Sequence, residues 1–132
     1  MYTMKQACEK TGMTYENLKF YCNQGLVPNV KRDSQNRRIF DDQDIIWING
    51  LNCLKNCNMG IAEMKEYIAL CLQGDETIPQ RKIILEAKQK ALLKEKKRIE
   101  DAIAYIDWKQ GFYDDILAGK NPSLAYPAPA EE

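Results

Sequence analysis

A chain of 132 residues with 19 basic and 19 acidic side chains, five cysteines and no histidine has room for one compact domain and at most one appendage around a modest core. Without histidine it lacks the commonest general base and metal ligand, which excludes most hydrolytic and zinc chemistry. No apolar run approaches the roughly 18 residues of a membrane span and the N-terminus lacks the apolar stretch of a signal peptide, so a cytoplasmic location with reduced thiols is expected.

Charge is unevenly spread along the chain. Residues 1–40 carry seven Lys/Arg against three Asp/Glu, residues 41–77 carry two against seven, and residues 78–120 carry ten against seven. A basic head followed by an acidic collar is expected if only the head meets phosphate.

Thr3 and Gln6 form a capping box at the start of a first helix, whose apolar face is Met4, Ala7 and Cys8. Thr11-Gly12 ends it, and a second helix starts near Thr14. Within that second helix Leu18, Tyr21 and Cys22 recur at i, i+3 and i+4 and form one buried stripe, while Glu16, Lys19, Asn23 and Gln24 point elsewhere. Gly25 supplies the left-handed closing position and Leu26 the apolar contact after it. A short helix, a tight turn and a second helix make a helix-turn-helix. An exposed face of amides, a hydroxyl and a cation suits a major groove.

Val27-Pro28 blocks further helix. Lys31 to Phe40 is basic, turn-rich and ends in alternating Arg38-Ile39-Phe40, which predicts a small β-hairpin wing with Arg37 and Arg38 near its tip, in reach of phosphate. Asp41, Asp42 and Asp44 load the start of a third helix with charge that suits its dipole. Trp47, Ile48, Leu51 and Leu54 should face the core of that helix, with Cys53, Cys57 and Ile46 on a flanking face. After Gly60 a fourth helix aligns Ile61, Met64, Ile68, Cys71 and Leu72, and Gln73-Gly74 stops it.

Thr77-Ile78-Pro79-Gln80 predicts a capping box with proline in the first turn. The helix it opens should run through Gly111 to about Gly119, near 40 residues or about 60 Å. Ile78, Leu85, Leu92, Ile99, Ile106 and Tyr113 recur every seventh residue as a heptad seam. The positions three later, among them Arg81, Lys88 and Glu95, suit a parallel zipper poorly, so an antiparallel pairing between two copies is expected. The Lys94 to Arg98 run is expected to be a solvated face. The expected domains are a DNA-binding domain over residues 1–74, a dimerisation helix over 75–119 and a disordered tail over 120–132, which holds three of the five prolines.

Tyr2-Thr3-Met4-Lys5-Gln6-Ala7, Leu18-Lys19-Phe20-Tyr21, Gly25-Leu26-Val27-Pro28 and Arg38-Ile39-Phe40 before Asp41 resemble the MerR family of transcription regulators, in order and spacing from about residue 2 to about residue 118. The resemblance implies a mainly α fold, a winged helix-turn-helix followed by a long antiparallel coiled-coil dimerisation helix. It also implies a homodimer that binds double-stranded promoter DNA, distorts it, and acts on RNA polymerase indirectly. Where the family has Arg-Tyr-Tyr-Glu, this chain has Lys19-Phe20-Tyr21-Cys22. Lysine keeps the charge and loses the bidentate fork, so residue 19 is expected on phosphate. The family's Asn-Gly-Tyr-Arg wing is Gln35-Asn36-Arg37-Arg38 here. Thr14, Tyr15, Asn17, Lys19, Tyr21, Arg37 and Arg38 are the expected DNA contacts.

The metal sensors of the family carry cysteines where this chain has Thr77-Ile78 and a cysteine-free tail, so no metal or other cofactor is expected. Drug-sensing members append a ligand domain, for which the tail is expected to be too short. The segment Leu51 to Asn56, with Gly74-Asp75-Glu76-Thr77 before a basic long helix, is most similar to the branch that responds to aldehydes and other thiol-reactive electrophiles. There the sensor is one cysteine matching Cys53. Cys53 could equally be a small packed residue, and with Cys57 it could bind a soft metal or form a disulfide. Cys8, Cys22 and Cys71 read as core. A regulator with an unknown small-ligand effector, or a coiled-coil interaction module, are the alternatives. No acid/base or nucleophile constellation suggests an enzyme.

Overall fold

The computed structural model describes residues 1–120; the expected tail, apart from Lys120, lies outside the described residues. In chain order the elements are β1 (Tyr2–Thr3), α1 (Met4–Thr11), α2 (Tyr15–Asn23), β2 (Lys31–Arg32), β3 (Arg38–Phe40), α3 (Asp42–Asn56), α4 (Ile61–Gln73), one 3-10 turn (Asp75–Thr77) and α5 (Ile78–Leu117). Two compact units follow one another, Met1–Lys90 and the residues from Ala91 onward.

Helix ends fall where side chains or glycine can satisfy the orphan backbone groups. At α1 the Gln6 N–H donates to Thr3 Oγ1 (3.2 Å) and the Thr3 N–H to Gln6 Oε1 (2.9 Å). Gly12, at φ 74°, closes the helix. At α2 the Asn17 N–H donates to Thr14 Oγ1 (3.1 Å). Its far end is a Schellman closure, with Gly25 at φ 76°, the Leu26 N–H on the Tyr21 carbonyl (3.0 Å) and the Gly25 N–H on that of Cys22 (3.1 Å). The acidic start of α3 is a reciprocal box: the Asp44 N–H donates to Asp41 Oδ1 (2.8 Å) and the Asp41 N–H to Asp44 Oδ2 (3.0 Å).

The expected hairpin forms and gains a third strand. β3 is central, pairing antiparallel with β2 (Lys31 to Ile39, Arg32 to Arg38) and with β1 (Tyr2 to Phe40, Thr3 to Ile39). Below the sheet and the helix-turn-helix lies one core, in which Ala7, Leu18, Phe40, Ile48 and Met64 are fully buried, and Tyr2, Trp47, Leu54 and Ile84 pack on its margin. The larger of these buried side chains contribute about 1.5–3 kcal/mol each on removal from water. Trp47 also donates Nε1 to the Leu26 carbonyl (2.7 Å), which ties α3 to the end of α2.

Two local expectations are corrected. Leu72 is 60% exposed, because the α4 stripe that packs inward runs through Met64 and Ile68. Thr77 does not cap Gln80: its hydroxyl lies back on the Leu70 and Gly74 carbonyls and accepts Arg81 Nε (3.0 Å), while Arg81 Nη2 donates to the Gly74 carbonyl (2.7 Å). The backbone enters α5 through the 3-10 turn instead.

The opening turns of α5 belong to the first unit. Ile84 packs on the core, and Lys88 Nζ bonds Glu63 Oε1 (2.8 Å) and the Asn58 carbonyl (3.2 Å). Glu63 is held below the usual carboxylate range by that lysine first and the Gly60 N–H second. The helix runs through Gly111, ends at Leu117, and closes on Gly119 at φ 80°. None of its 40 residues is buried. Among the described residues no helix is long and apolar enough to cross a membrane.

Candidate nucleic-acid interface

The caps fix α2, and its own periodicity divides it. Leu18 and Tyr21 are buried and Cys22 is half-buried, while Tyr15, Glu16, Asn17, Lys19, Phe20 and Asn23 are exposed. The sequence assigns Tyr21 both to the buried stripe and to DNA contact. At 5% exposure its ring is claimed by the core. The Thr14 hydroxyl accepts the capping N–H, which leaves its own proton for donation.

The wing turn is shaped by Asp33. The Asn36 N–H donates to the Asp33 carbonyl and the Asp33 N–H to that of Arg37, each at 2.9 Å. Asn36 takes the left-handed φ of 63°, which asparagine tolerates. The Asp33 carboxylate accepts the Gln35 and Arg37 N–H groups (2.9 Å each) and Arg37 Nε (3.1 Å). These bonds, the Arg37 N–H foremost, hold its carboxyl below the usual range. Arg37 nevertheless keeps 71% of its side chain in solvent. Arg32 Nη1 donates to the Asn36 carbonyl (3.0 Å).

Arg38 Nη2 donates to Asn23 Oδ1 at 2.6 Å and so joins the wing to α2. The root of the wing is tied to α3. Lys31 Nζ bonds Asp41 Oδ2 (2.8 Å) and Asp44 Oδ2 (3.4 Å), and Tyr2 donates its hydroxyl to Asp42 Oδ1 (2.6 Å). Asp41 falls to about 2, through Lys31 first and the Asp44 N–H second. The acidic run read as a complement to the helix dipole therefore also anchors the wing, and it uses the Lys31 charge internally.

A concave surface of about 410 Å³ is lined by Thr3, Met4, Lys5, Tyr15, Arg32, Asp33, Arg37, Arg38 and Ile39. Of the expected contact residues it brings together Tyr15, Arg37 and Arg38. Thr14, Asn17 and Lys19 are exposed outside that lining. Asn23 is exposed on α2, as its place outside the Leu18-Tyr21-Cys22 stripe predicts, whereas no local pattern marks Lys5 or Arg32 as contacts. The excess of base in the first 40 residues is the available signal for the two cations, while the bond from Arg38 to Asn23 has no local signal.

Cys53 is exposed on α3, and the other four thiols are partly covered. The Cys57 N–H donates to the Cys53 carbonyl (3.1 Å), so the two cysteines stand on successive turns. Burial pushes the Cys8 thiol up, helped by Glu9. It also pushes Cys22 up, against the opposing pull of Arg38 and Arg32. Cys71 lines a mostly apolar groove of about 280 Å³ between α3 and α4 with Ile46, Trp47 and Tyr67. Among the described residues no group of three or more Cys, Asp or Glu side chains is arranged to hold a metal ion.

The family described as MerR HTH family regulatory protein matches residues 2–71. An uncharacterised HTH-type transcriptional regulator of Haemophilus influenzae is 34% identical over 117 residues, 89% of this chain and 87% of that protein. The HTH-type transcriptional regulator AdhR of Bacillus subtilis is 35% identical over 88 residues, 67% of this chain and 63% of its own length. Among solved structures, that of HiNmlR, a MerR family regulator lacking the sensor domain and bound to promoter DNA, is similar at a TM-score of 0.76 and 33% identity, covering 89% of this chain and 93% of that one. A MerR family transcriptional regulator from Bacillus thuringiensis gives 0.72 and 28%, over 85% and 98% of the two chains.

Proposed function

We propose that this chain, which belongs to the MerR family of helix-turn-helix regulators, binds promoter DNA as a homodimer and distorts it, controlling RNA polymerase through the shape of the duplex. Residues 1–74 form the DNA-binding domain and 75–119 the dimerisation helix. Thr14, Tyr15, Asn17, Lys19, Arg37 and Arg38 meet the duplex, mostly on phosphate, and Tyr21 supports them from the core. The reading is carried by one observation: the concave surface that gathers Tyr15 with Lys5, Arg32, Arg37 and Arg38 beside the exposed face of α2. The similarity to HiNmlR, which is bound to promoter DNA, supports it. For the dimer, support comes from the heptad residues of α5, with Ile99, Ile106 and Tyr113 between 42% and 55% exposed in the single chain.

The test is binding of the full chain to a duplex from its own promoter region between 50 and 200 mM salt. Affinity should fall steeply with salt, by about 0.9 in log–log slope for each phosphate neutralised. A flat dependence would favour the interaction module and overturn the reading.

Cys53 is the proposed electrophile sensor. Its exposure supports this, together with the coverage of the other four thiols. Modification would shift the dimer between two DNA-bound shapes. With limiting quinone or aldehyde, mass spectrometry should find Cys53 labelled ahead of Cys8, Cys22, Cys57 and Cys71. Labelling elsewhere first would leave the DNA-binding reading intact and end the sensor.

A further inference from the structure

We propose that Asn23 reads a base edge and that Arg38 acts as its positioning residue, turning the amide so that its N–H₂ faces the duplex. The inference rests on the DNA-binding reading above and adds a specificity determinant to it. At 100° per residue Asn23 lies about 20° from Glu16, about 40° from Lys19 and about 60° from Phe20, so it shares their exposed face of α2. Asn23 is itself exposed.

Arginine has donors and no acceptor, so the Asn23 atom beside Arg38 Nη2 is Oδ1, at 2.6 Å. The Nδ2 group is thereby directed away from the wing. A freely rotating asparagine can offer either its oxygen or its nitrogen, and pairs with adenine by offering both. An amide held by a cation on its oxygen has one of its two lone pairs taken and its pair of donors turned the other way. The base-edge acceptors that match are guanine O6, thymine O4 and the purine N7; guanine, with two of them side by side, matches best and cytosine, which presents only its amino group, worst.

Substitution of Asn23 by aspartate makes the test directional. The carboxylate introduced by Asn23→Asp would keep an oxygen for Arg38 and replace the outward N–H₂ with a second acceptor, so the variant should move the preference from guanine toward cytosine. The probe is a pool of randomised duplexes, selected by the full-length wild type and by Asn23→Asp, Asn23→Ala, Arg38→Met and Arg38→Lys, then sequenced. The wild type should show a guanine preference at one position in each half-site, and Asn23→Asp should invert it. Asn23→Ala and Arg38→Met should each weaken discrimination at that same position by about five- to tenfold. Combining them should weaken it no further, and Arg38→Lys should restore part of it.

Retention of the wild-type consensus by Asn23→Asp, with affinity reduced uniformly, would place Asn23 on phosphate and overturn the inference while leaving DNA binding in place. A cytosine preference in the wild type would overturn it as well. Failure of the wild type to enrich any sequence would overturn the inference, and a flat salt dependence beside it would overturn DNA binding as well.

Discussion

The first unit buries Leu18, Phe40, Ile48 and Met64 to 0% exposure, whereas from Ala91 onward Ile99, Ile103, Ile106 and Trp108 stay 44–61% exposed. Both stretches are helical and carry similar apolar side chains, so composition does not separate them. What separates them is the presence of other elements to pack against. α1, α2, α3 and the small sheet supply one another with a second layer, while among the described residues none of α5 is buried. The first unit buries its apolar side chains within one chain, whereas the described residues beyond Ala91 leave many of theirs exposed.

The contrast breaks most visibly in the core. Phe40 is fully buried where β3 meets the helices, so Phe40→Ala should cost about 3–5 kcal/mol of stability, read as a shift in denaturant midpoint. A loss below about 1 kcal/mol would mean that the head is not organised around this core. Ile106→Asp probes the other side. At 55% exposure in the single chain, the new charge should leave the head folded. In a dimer seam the buried, unpaired charge should raise the dissociation constant about a hundredfold or more. Sedimentation equilibrium measures this directly, and an unchanged association constant would remove the heptad residues from the interface.

The sequence made one side of the contrast more legible than the other. The caps at Thr3, Thr14 and Asp41, the turn at Gly25 and the uninterrupted run after Pro79 are encoded within a few residues of where they act, so α1, α2, α3 and the length of α5 could be read locally. The pairing of Tyr2 with Phe40, the Trp47 bond to the Leu26 carbonyl and the Arg38 bond to Asn23 join positions 15 to 38 residues apart, and no local pattern announces them. Thr77 shows where a local signal misleads. Its sequence context predicts a cap, but Arg81 and the carbonyls of Leu70 and Gly74 compete for the same hydroxyl and take it. The site was half legible for the same reason: the cations of the head could be counted, but which of them remain available depends on partners such as Asp41 and Asp44, which retain Lys31.

Acid sharpens the comparison with the smallest effect. The α5 pairs Lys97–Asp101 and Arg98–Glu95 span four and three residues and form wherever the helix does. Lys31 instead reaches ten residues to Asp41 and thirteen to Asp44, and so requires the folded head. Asp41 is held at about 2 against an ordinary 3.8, by Lys31 first and then by the Asp44 N–H. Between those values the unfolded chain takes up a proton that the folded head refuses. The contribution of Asp41 is therefore complete above about pH 4 and drains away as pH falls toward about 2. The Asp41→Asn variant would still cap α3, since asparagine serves as well as aspartate there, but its amide would not titrate. Denaturant midpoints from pH 6 to pH 2 should thus fall less steeply for Asp41→Asn than for the wild type. Part of the slope should remain, because Asp33 and Glu63 are also held below their usual range. Coincident slopes would mean that the Lys31–Asp41 bond does not hold the wing to α3 in solution, and that junction would then rest on the Tyr2 bond to Asp42 and on backbone pairing.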